Sequence, residues 1–355
     1  MTRETKKLFK VCTLRHIPIF TFKVKRKITP LTVLVPLLLV VLLVCAVIYD
    51  NSRIVLDEVT FSMPTLPRDM DGYTILHISD IRERLFGAEG EALDETLGDS
   101  EYDIVVMTGD LVSPTGDDTG LCQALDYFAA KQVPVYFITG EGDPPTTEIR
   151  QDGSFGATAW AQNALDRGAV FLDVPIALNE GERKLWLMPA STLVLDTESS
   201  IASLDARLLD ENLDDGTVQS ILYRKGRYEA FADAMAQRQQ NDLTIMLTHM
   251  PCLDASLQSE STTAIFSEAD LILAGHHLGG QICLPVLGAL YAENDLLPRG
   301  GWFPDDRYMT GLNEVNATYQ YVSTGLGTVY GAPLNFRLCN PPQISLITLT
   351  RQVDA

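Results

Sequence analysis

Five short segments of the chain combine acids, histidines and glycines at the ends of apolar runs. They are His77-Ile78-Ser79-Asp80-Ile81-Arg82, Thr108-Gly109-Asp110, Thr139-Gly140-Glu141-Gly142-Asp143, Leu247-Thr248-His249 and Ala274-Gly275-His276-His277-Leu278-Gly279-Gly280-Gln281. Carboxylates beside imidazoles are a donor set suited to a divalent ion such as Mn, Zn or Fe. An ion held in that way polarises an oxygen of a substrate and lowers the pKa of a bound water to about 7. The glycines let backbone come close to a metal or a phosphate. Taken singly, Asp80, Asp110 and Glu141 also suit loop caps, and His249 and His276 suit buried core positions. Their joint occurrence is what points to a metal site.

Such residues converge only if the elements before them share a sheet edge. From residue 54 onward, short β-branched or apolar runs alternate with helical periodicities, the pattern of an α/β domain. Strands are expected at Tyr73–Ile78, Ile104–Thr108, Val133–Thr139, Ala169–Leu172, Lys184–Met188, Leu243–Thr248, Leu271–Ala274, Tyr319–Ser323 and Ile344–Leu349. Loops at the C-terminal ends of such strands are the usual place for a site. Helices are expected at Leu121–Lys131, Ala157–Arg167 and Arg227–Gln239, where apolar residues recur at spacings of three and four. Residues 191–220, with Asp196, Asp205, Asp210, Asp214 and Asp215, read as a solvated surface insertion. His77 reads as a core or surface histidine.

At the five segments the sequence resembles the calcineurin-like metallophosphoesterases, especially their membrane-anchored bacterial subgroup. That family's pattern is D-x-H, G-D, G-N-H-D/E, H and G-H-x-H, often continuing G-G-Q. Order and approximate spacing match, as do Gly279-Gly280-Gln281, the run Tyr321-Val322-Ser323-Thr324-Gly325-Leu326-Gly327, and Asn340-Pro341-Pro342 before a final apolar strand. The resemblance covers roughly residues 55–350. It implies a four-layer αββα sandwich, two sheets flanked by helices, with a two-metal site. One family metal would fall to Asp80, Arg82, Asp110 and Leu278, where two histidines are replaced and an Arg brings a fixed positive charge. The other would fall to Asp110, Glu141, His249 and His276, four ligand types that survive. The resemblance therefore implies a one-metal site, with Arg82 and Asp80 as catalytic residues, the guanidinium neutralising the phosphate. Arg82 has a second reading, a salt bridge to Asp80 in a dead site. Gly142 stands where the family has a histidine that assists the leaving group, a role worth about 10²–10⁴ in rate. His277 is the nearest substitute in sequence.

The chain has 355 residues, 46% of them hydrophobic, enough to build a large core. Its net charge of −20 argues against nucleic-acid binding. Residues 1–30 carry nine Lys or Arg against one Glu, whereas residues 31–355 carry 18 against 46. Between these regions, Leu31 to Tyr49 run 19 residues without a charge, about the length that spans a bilayer core. The basic flank then places residues 1–30 in the cytoplasm and the remainder outside. A cleaved signal peptide is the alternative reading of the same run. The expected organisation is a basic tail over 1–30, a transmembrane anchor over 31–49, a linker and first strand over 50–72, and a metallophosphoesterase-like domain over 73–355. The four cysteines beyond the anchor, with no C-x-x-C pair, are expected as thiols. The expected function is a plasma-membrane phosphoesterase acting on phosphomono- or diesters, such as lipid or cell-wall precursor head groups. The alternative is an inactive binding or sensor module of the same fold.

Overall fold

The computed structural model describes residues 30–192, 196–253, 268–292, 301–315, 318–329 and 335–352. The chain divides into two units, Met1–Val44 and Cys45–Ala355. Pro30–Ser52 is one helix (α1) of 23 residues. By length and composition it is apolar enough to cross a membrane, with a mean hydropathy of 3.2.

Within the larger unit, twelve strands form two six-stranded sheets. They are β1 Val55–Ser62, β2 Thr74–Ile78, β3 Ile104–Thr108, β4 Val135–Ile138, β5 Val170–Phe171, β6 Ile176–Ala177, β7 Leu185–Pro189, β8 Leu243–Leu247, β9 Leu271–Ala274, β10 Gly311–Val315, β11 Thr318–Val322 and β12 Gln343–Thr350. The first sheet runs β1-β12-β2-β3-β4-β5 and the second β10-β11-β9-β8-β7-β6. Strands β2 to β5 are mutually parallel, as are β7, β8, β9 and β11. Strand β12 runs parallel to β1 and antiparallel to β2, with Ser345 opposite His77.

The side-chain period of two assigns each strand residue to a layer. Ile75, Ile104, Val106, Leu243, Ile245, Leu247, Leu271, Leu273 and Ile347 share the core between the sheets. Their neighbours Leu76, Ile78, Val105, Met107, Ile344 and Leu346 face the helix side of the first sheet. There they meet Leu93 and Leu97 of α2 (Glu91–Leu97), Leu121, Ala124 and Phe128 of α3 (Thr119–Ala130), and Trp160 and Ala164 of α4 (Ala159–Asp166). Met188, Met246 and Ile272 form the other outer core with Tyr308 and Met309. The expected four-layer αββα order is therefore present, with strands buried on both faces.

The acidic stretch 191–220 is not a solvated loop. It holds α5 (Thr197–Leu208) and the start of α6 (Asp215–Gln237), a helix that begins well before the expected Arg227. The acids that suggested a loop are its caps: the Asp196 carboxylate accepts from Ser199 N, and that of Asp214 from Thr217 N at 2.8 Å. Within segment 50–72, all of β1 pairs with β12. Asp50 accepts from Cys339 N at 2.6 Å, and Asn51 exchanges two hydrogen bonds with the Arg337 backbone. Among the described residues Cys45, Cys122, Cys252, Cys283 and Cys339 are free thiols.

His77 lies fully buried between the sheets. Its Nε2 pairs with Thr108 Oγ1 at 2.8 Å, its Nδ1 has no partner among the described residues, and its ring meets Tyr321 edge-on. Burial pushes its pKa down from 6.5 to about 3, against the opposing pull of Asp80. The folded value lies below the unfolded one, so this contribution to stability is complete above pH 6.5 and is lost as pH falls through that range toward 3. Stability should fall by a slope approaching about 1.4 kcal/mol per pH unit below 6.5. Urea denaturation of a His77→Leu variant should show a flatter profile between pH 6.5 and 5, where few carboxylates titrate. An unchanged slope would remove His77 as its source.

Candidate metal centre

The loops that follow β2, β3, β4, β8 and β9 meet at the C-terminal edges of the two sheets. Asp80, Arg82, Asp110 and Leu278 each sit at φ 52°, and His276 at 78°, in the left-handed region where a side chain costs energy. Five such residues in one place are a strain that a functional site tolerates. Close loop contact also explains Gly140: a Cβ there would lie 2.2 Å from Asp110 Oδ1. At Gly142 a Cβ would stand 3.0 Å from the same oxygen, and instead its N–H donates to that oxygen at 2.8 Å.

Ligand atoms of Asp80, Asp110 and His249 lie within 4.8 Å of one another, and all three residues are buried. His249 Nδ1–H donates to the Thr108 carbonyl at 2.8 Å, which aims Nε2 at Asp110 Oδ1, 3.3 Å away, and at His276 Nδ1, 3.1 Å away. A backbone acceptor behind an imidazole is the usual support of a histidine ligand. Asp80 Oδ2 accepts from Ser79 Oγ at 2.6 Å and from His276 N at 3.0 Å. Arg82 Nη2 then joins the two acids, donating to Asp110 Oδ2 at 2.5 Å and to Asp80 Oδ1 at 3.3 Å.

Charge follows this arrangement. Burial raises the Asp110 carboxyl, but the His249 hydrogen bond and charge, with Arg82, hold it well below the usual carboxylate range. Burial depresses His249, yet its bond to Asp110 and the charges of Asp80 and Asp110 lift it to about 9. His276 is lowered by burial and then by the His249 charge. Without an ion, a proton on His249 Nε2 thus holds the direction a metal would use.

The structure brings Asp80, Arg82, Asp110 and His249 together, with His276 against His249. Glu141 is exposed and stands outside the buried group, contributing charge near His276. Leu278 is buried, with its carbonyl accepting from Asn340 Nδ2 at 2.7 Å. His277 packs edge-on against His276, and burial pushes its pKa down to about 4.

Sequence reading gave no role to Asp143, although it closes a glycine-rich loop beside the site. Its carboxylate accepts from Leu111 N at 2.7 Å, Val112 N at 3.0 Å and Gly140 N at 2.8 Å, which ties the β3 and β4 loops into one frame around Asp110. Asp143→Asn would turn an amide N–H₂ toward a backbone donor. It should cost about 1–3 kcal/mol in chemical denaturation and weaken metal binding in a titration. Unchanged values in both would show the clamp to be dispensable.

A cavity of about 160 Å³ opens beside His249 and is bounded by Phe171, Asp173 and Thr192. Phe171 and Asp173 also line a cavity of about 390 Å³ walled by Phe155, Leu165 and Tyr223. A polar site therefore adjoins an aromatic one.

A calcineurin-like phosphoesterase family model matches residues 73–279. The phosphodiesterase YaeI of Escherichia coli (strain K12) is 34% identical over 80 residues, 22% of this chain and 25% of that protein. The match thus spans a quarter of the YaeI length. The uncharacterized metallophosphoesterase YkuE of Bacillus subtilis (strain 168) is 24% identical over 294 residues, 82% of this chain and 84% of that protein. Among solved structures, the phosphopantetheinyl hydrolase PptH of Mycobacterium tuberculosis aligns with a TM-score of 0.35 at 14% identity, over 72% of this chain and 91% of that one.

Proposed function

We propose, on the premise that the chain belongs to the calcineurin-like phosphoesterase family, that it is a membrane-anchored, extracytoplasmic hydrolase of phosphomono- or diesters working with one divalent ion. The observation that carries the one-ion reading is the position of Arg82. Its guanidinium spans Asp80 and Asp110, the acids a second ion would need. Asp110 and His249, with His276 beside them, are the residues that would hold the remaining ion. When bound there, an ion such as Mn, Zn or Fe supplies Lewis-acid polarisation of the phosphoryl group.

The chain's own residues do the rest. Asp80 fixes the His276 backbone and anchors Arg82. Thr108 O holds the His249 ring in the tautomer that presents Nε2. Arg82 carries the positive charge that offsets a phosphate in a buried, weakly screened setting. The aromatic cavity, which shares Phe171 and Asp173 with the smaller one beside His249, supports a substrate with an apolar portion, consistent with a lipid or cell-wall precursor head group. The basic tail before α1 supports a cytoplasmic N-terminus.

A second reading is a binding or sensor module that holds its ligand without turnover. It is favoured by Gly142, where no imidazole serves the leaving group. Elemental analysis of the purified chain, paired with hydrolysis of an aryl phosphodiester with added Mn or Zn, separates the two. Metal-dependent turnover carries the hydrolase reading. A stoichiometric ion without turnover carries the module, and no bound ion removes the ligand assignment.

A further inference from the structure

Arg82 also lines a second cleft, of about 270 Å³, together with Asn51, Arg84, Gly327, Thr328 and Asn335 among others. Three guanidiniums crowd this region of a protein whose net charge is −20. Arg82 is ion-paired with Asp80 and Asp110. Arg84 and Arg337 are not: neither has a carboxylate within ion-pair distance among the described residues. Among the described residues the Arg84 guanidinium reaches the Asn51 carbonyl, at 2.7 Å. Arg337, which has no exposed surface, donates to the carbonyls of Gly327 and Thr324, both at 2.8 Å. Buried N–H groups without a partner among the described residues remain on all three: Arg82 Nε, Arg84 Nε and Arg337 Nη1.

Uncompensated buried charge is strongly unfavourable, and orphaned buried donors add to it. An anion in the adjoining cleft offsets the charge of Arg84, which lines it, and Arg337 adds to the positive field there. The cleft wall also offers the Thr328 hydroxyl and the Asn335 amide, and its acid, Glu83, is exposed to solvent. A planar guanidinium is well matched to the oxygens of a phosphate group.

Position narrows the source. Asn51, on the rim of the cleft, lies two residues beyond Tyr49, the last residue of the uncharged run. A chain segment of that length reaches at most about 7 Å. If α1 spans a bilayer, the cleft opens at the level of the head groups.

We propose that the cleft formed by Arg84, Thr328 and Asn335 is a phosphate-binding site separate from the metal ligands, taking either the phosphate of an anionic lipid head group or free phosphate. It goes beyond hydrolysis and holds whether or not the metal centre turns over.

The test is calorimetric titration of inorganic phosphate into the full-length chain, stripped of metal and reconstituted in phosphatidylcholine nanodiscs. Saturable binding is expected, weakened at least tenfold by Arg84→Gln and abolished by Asn335→Asp, which places a like charge on an exposed part of the wall. His249→Ala should bind as the unaltered chain does. Absence of phosphate binding in the metal-stripped protein, or equal binding in the Arg84 and Asn335 variants, overturns the proposal. Should Arg84→Gln fail to fold, as judged by thermal melting, Asn335→Asp still decides the matter. Repeating the titration in phosphatidylglycerol discs identifies the source: loss of phosphate binding means that the head group occupies the cleft, and unchanged binding means that the ligand is free phosphate.

Discussion

Arg82→Ala is expected to destabilise the metal-free protein by about 3–5 kcal/mol, the usual cost of breaking a buried ion pair by removing one partner. Asp80 and Asp110 would be left buried and close together with only His249 to offset them. Added Mn or Zn should restore much of that stability, because the two acids then regain a cation. The unaltered protein should gain less from the same ions. Arg82→His is the sharper version: an imidazole replaces the guanidinium, and elemental analysis should show metal content rising from one ion per chain toward two. Denaturation with a chelator and with Mn checks the first claim. If the alanine variant is as stable as the parent in chelator, or if no ion rescues it, Arg82 does not stand in for a metal.

The second large effect is expected at His249. Its alanine variant should lose metal by a factor of roughly 10² or more, and any metal-dependent hydrolysis with it, while the fold persists. Elemental analysis and turnover measured on the same preparation make the comparison. Persistent turnover in this variant would place the chemistry elsewhere. Restoring the other family histidines is a poorer route to gain of function. A side chain at Gly142 pushes on both Asp110 oxygens, at 3.0 and 3.1 Å, and the Leu278 side chain is buried. These two departures are built into the packing, whereas Arg82 occupies a position that an imidazole can fill.

Much of this was legible in the chain because burial writes itself plainly into parallel strands. Ile104–Thr108, Leu243–Leu247 and Leu271–Ala274 are covered on both faces, so each reads as an unbroken apolar run that ends where a loop must turn. Asp110, His249 and His276 stand just past those ends, and their convergence followed from the sheet. Helix α5 and the first half of α6 were hidden because Asp196 and Asp214 act through backbone N–H groups, and a capping acid looks like a loop acid in composition. Glu141 fell outside the cluster for a related reason: ligand type was readable, but the direction of a loop side chain was not. Arg82 choosing Asp110 more closely than the nearer-in-sequence Asp80 is a tertiary result, as is the Asp143 clamp. Arg337 gave no signal at all, since an isolated Arg near the C-terminus is ordinarily a surface residue.

The pairing of β1 with β12 has a consequence for how the molecule comes to exist. Val55 aligns with Gln343, a separation of nearly the whole domain, and β12 inserts between β1 and β2, which have no direct pairing of their own. Until the ribosome has released residues 343–350, β1 has no partner and β2 presents an open edge. Contacts so distant in sequence are slow to close, and unpaired edges invite association with other chains during the wait. Completion of the first sheet therefore waits until nearly the whole domain has been synthesised, and loss of residues 343–350 would leave β1 and β2 without the strand that joins them.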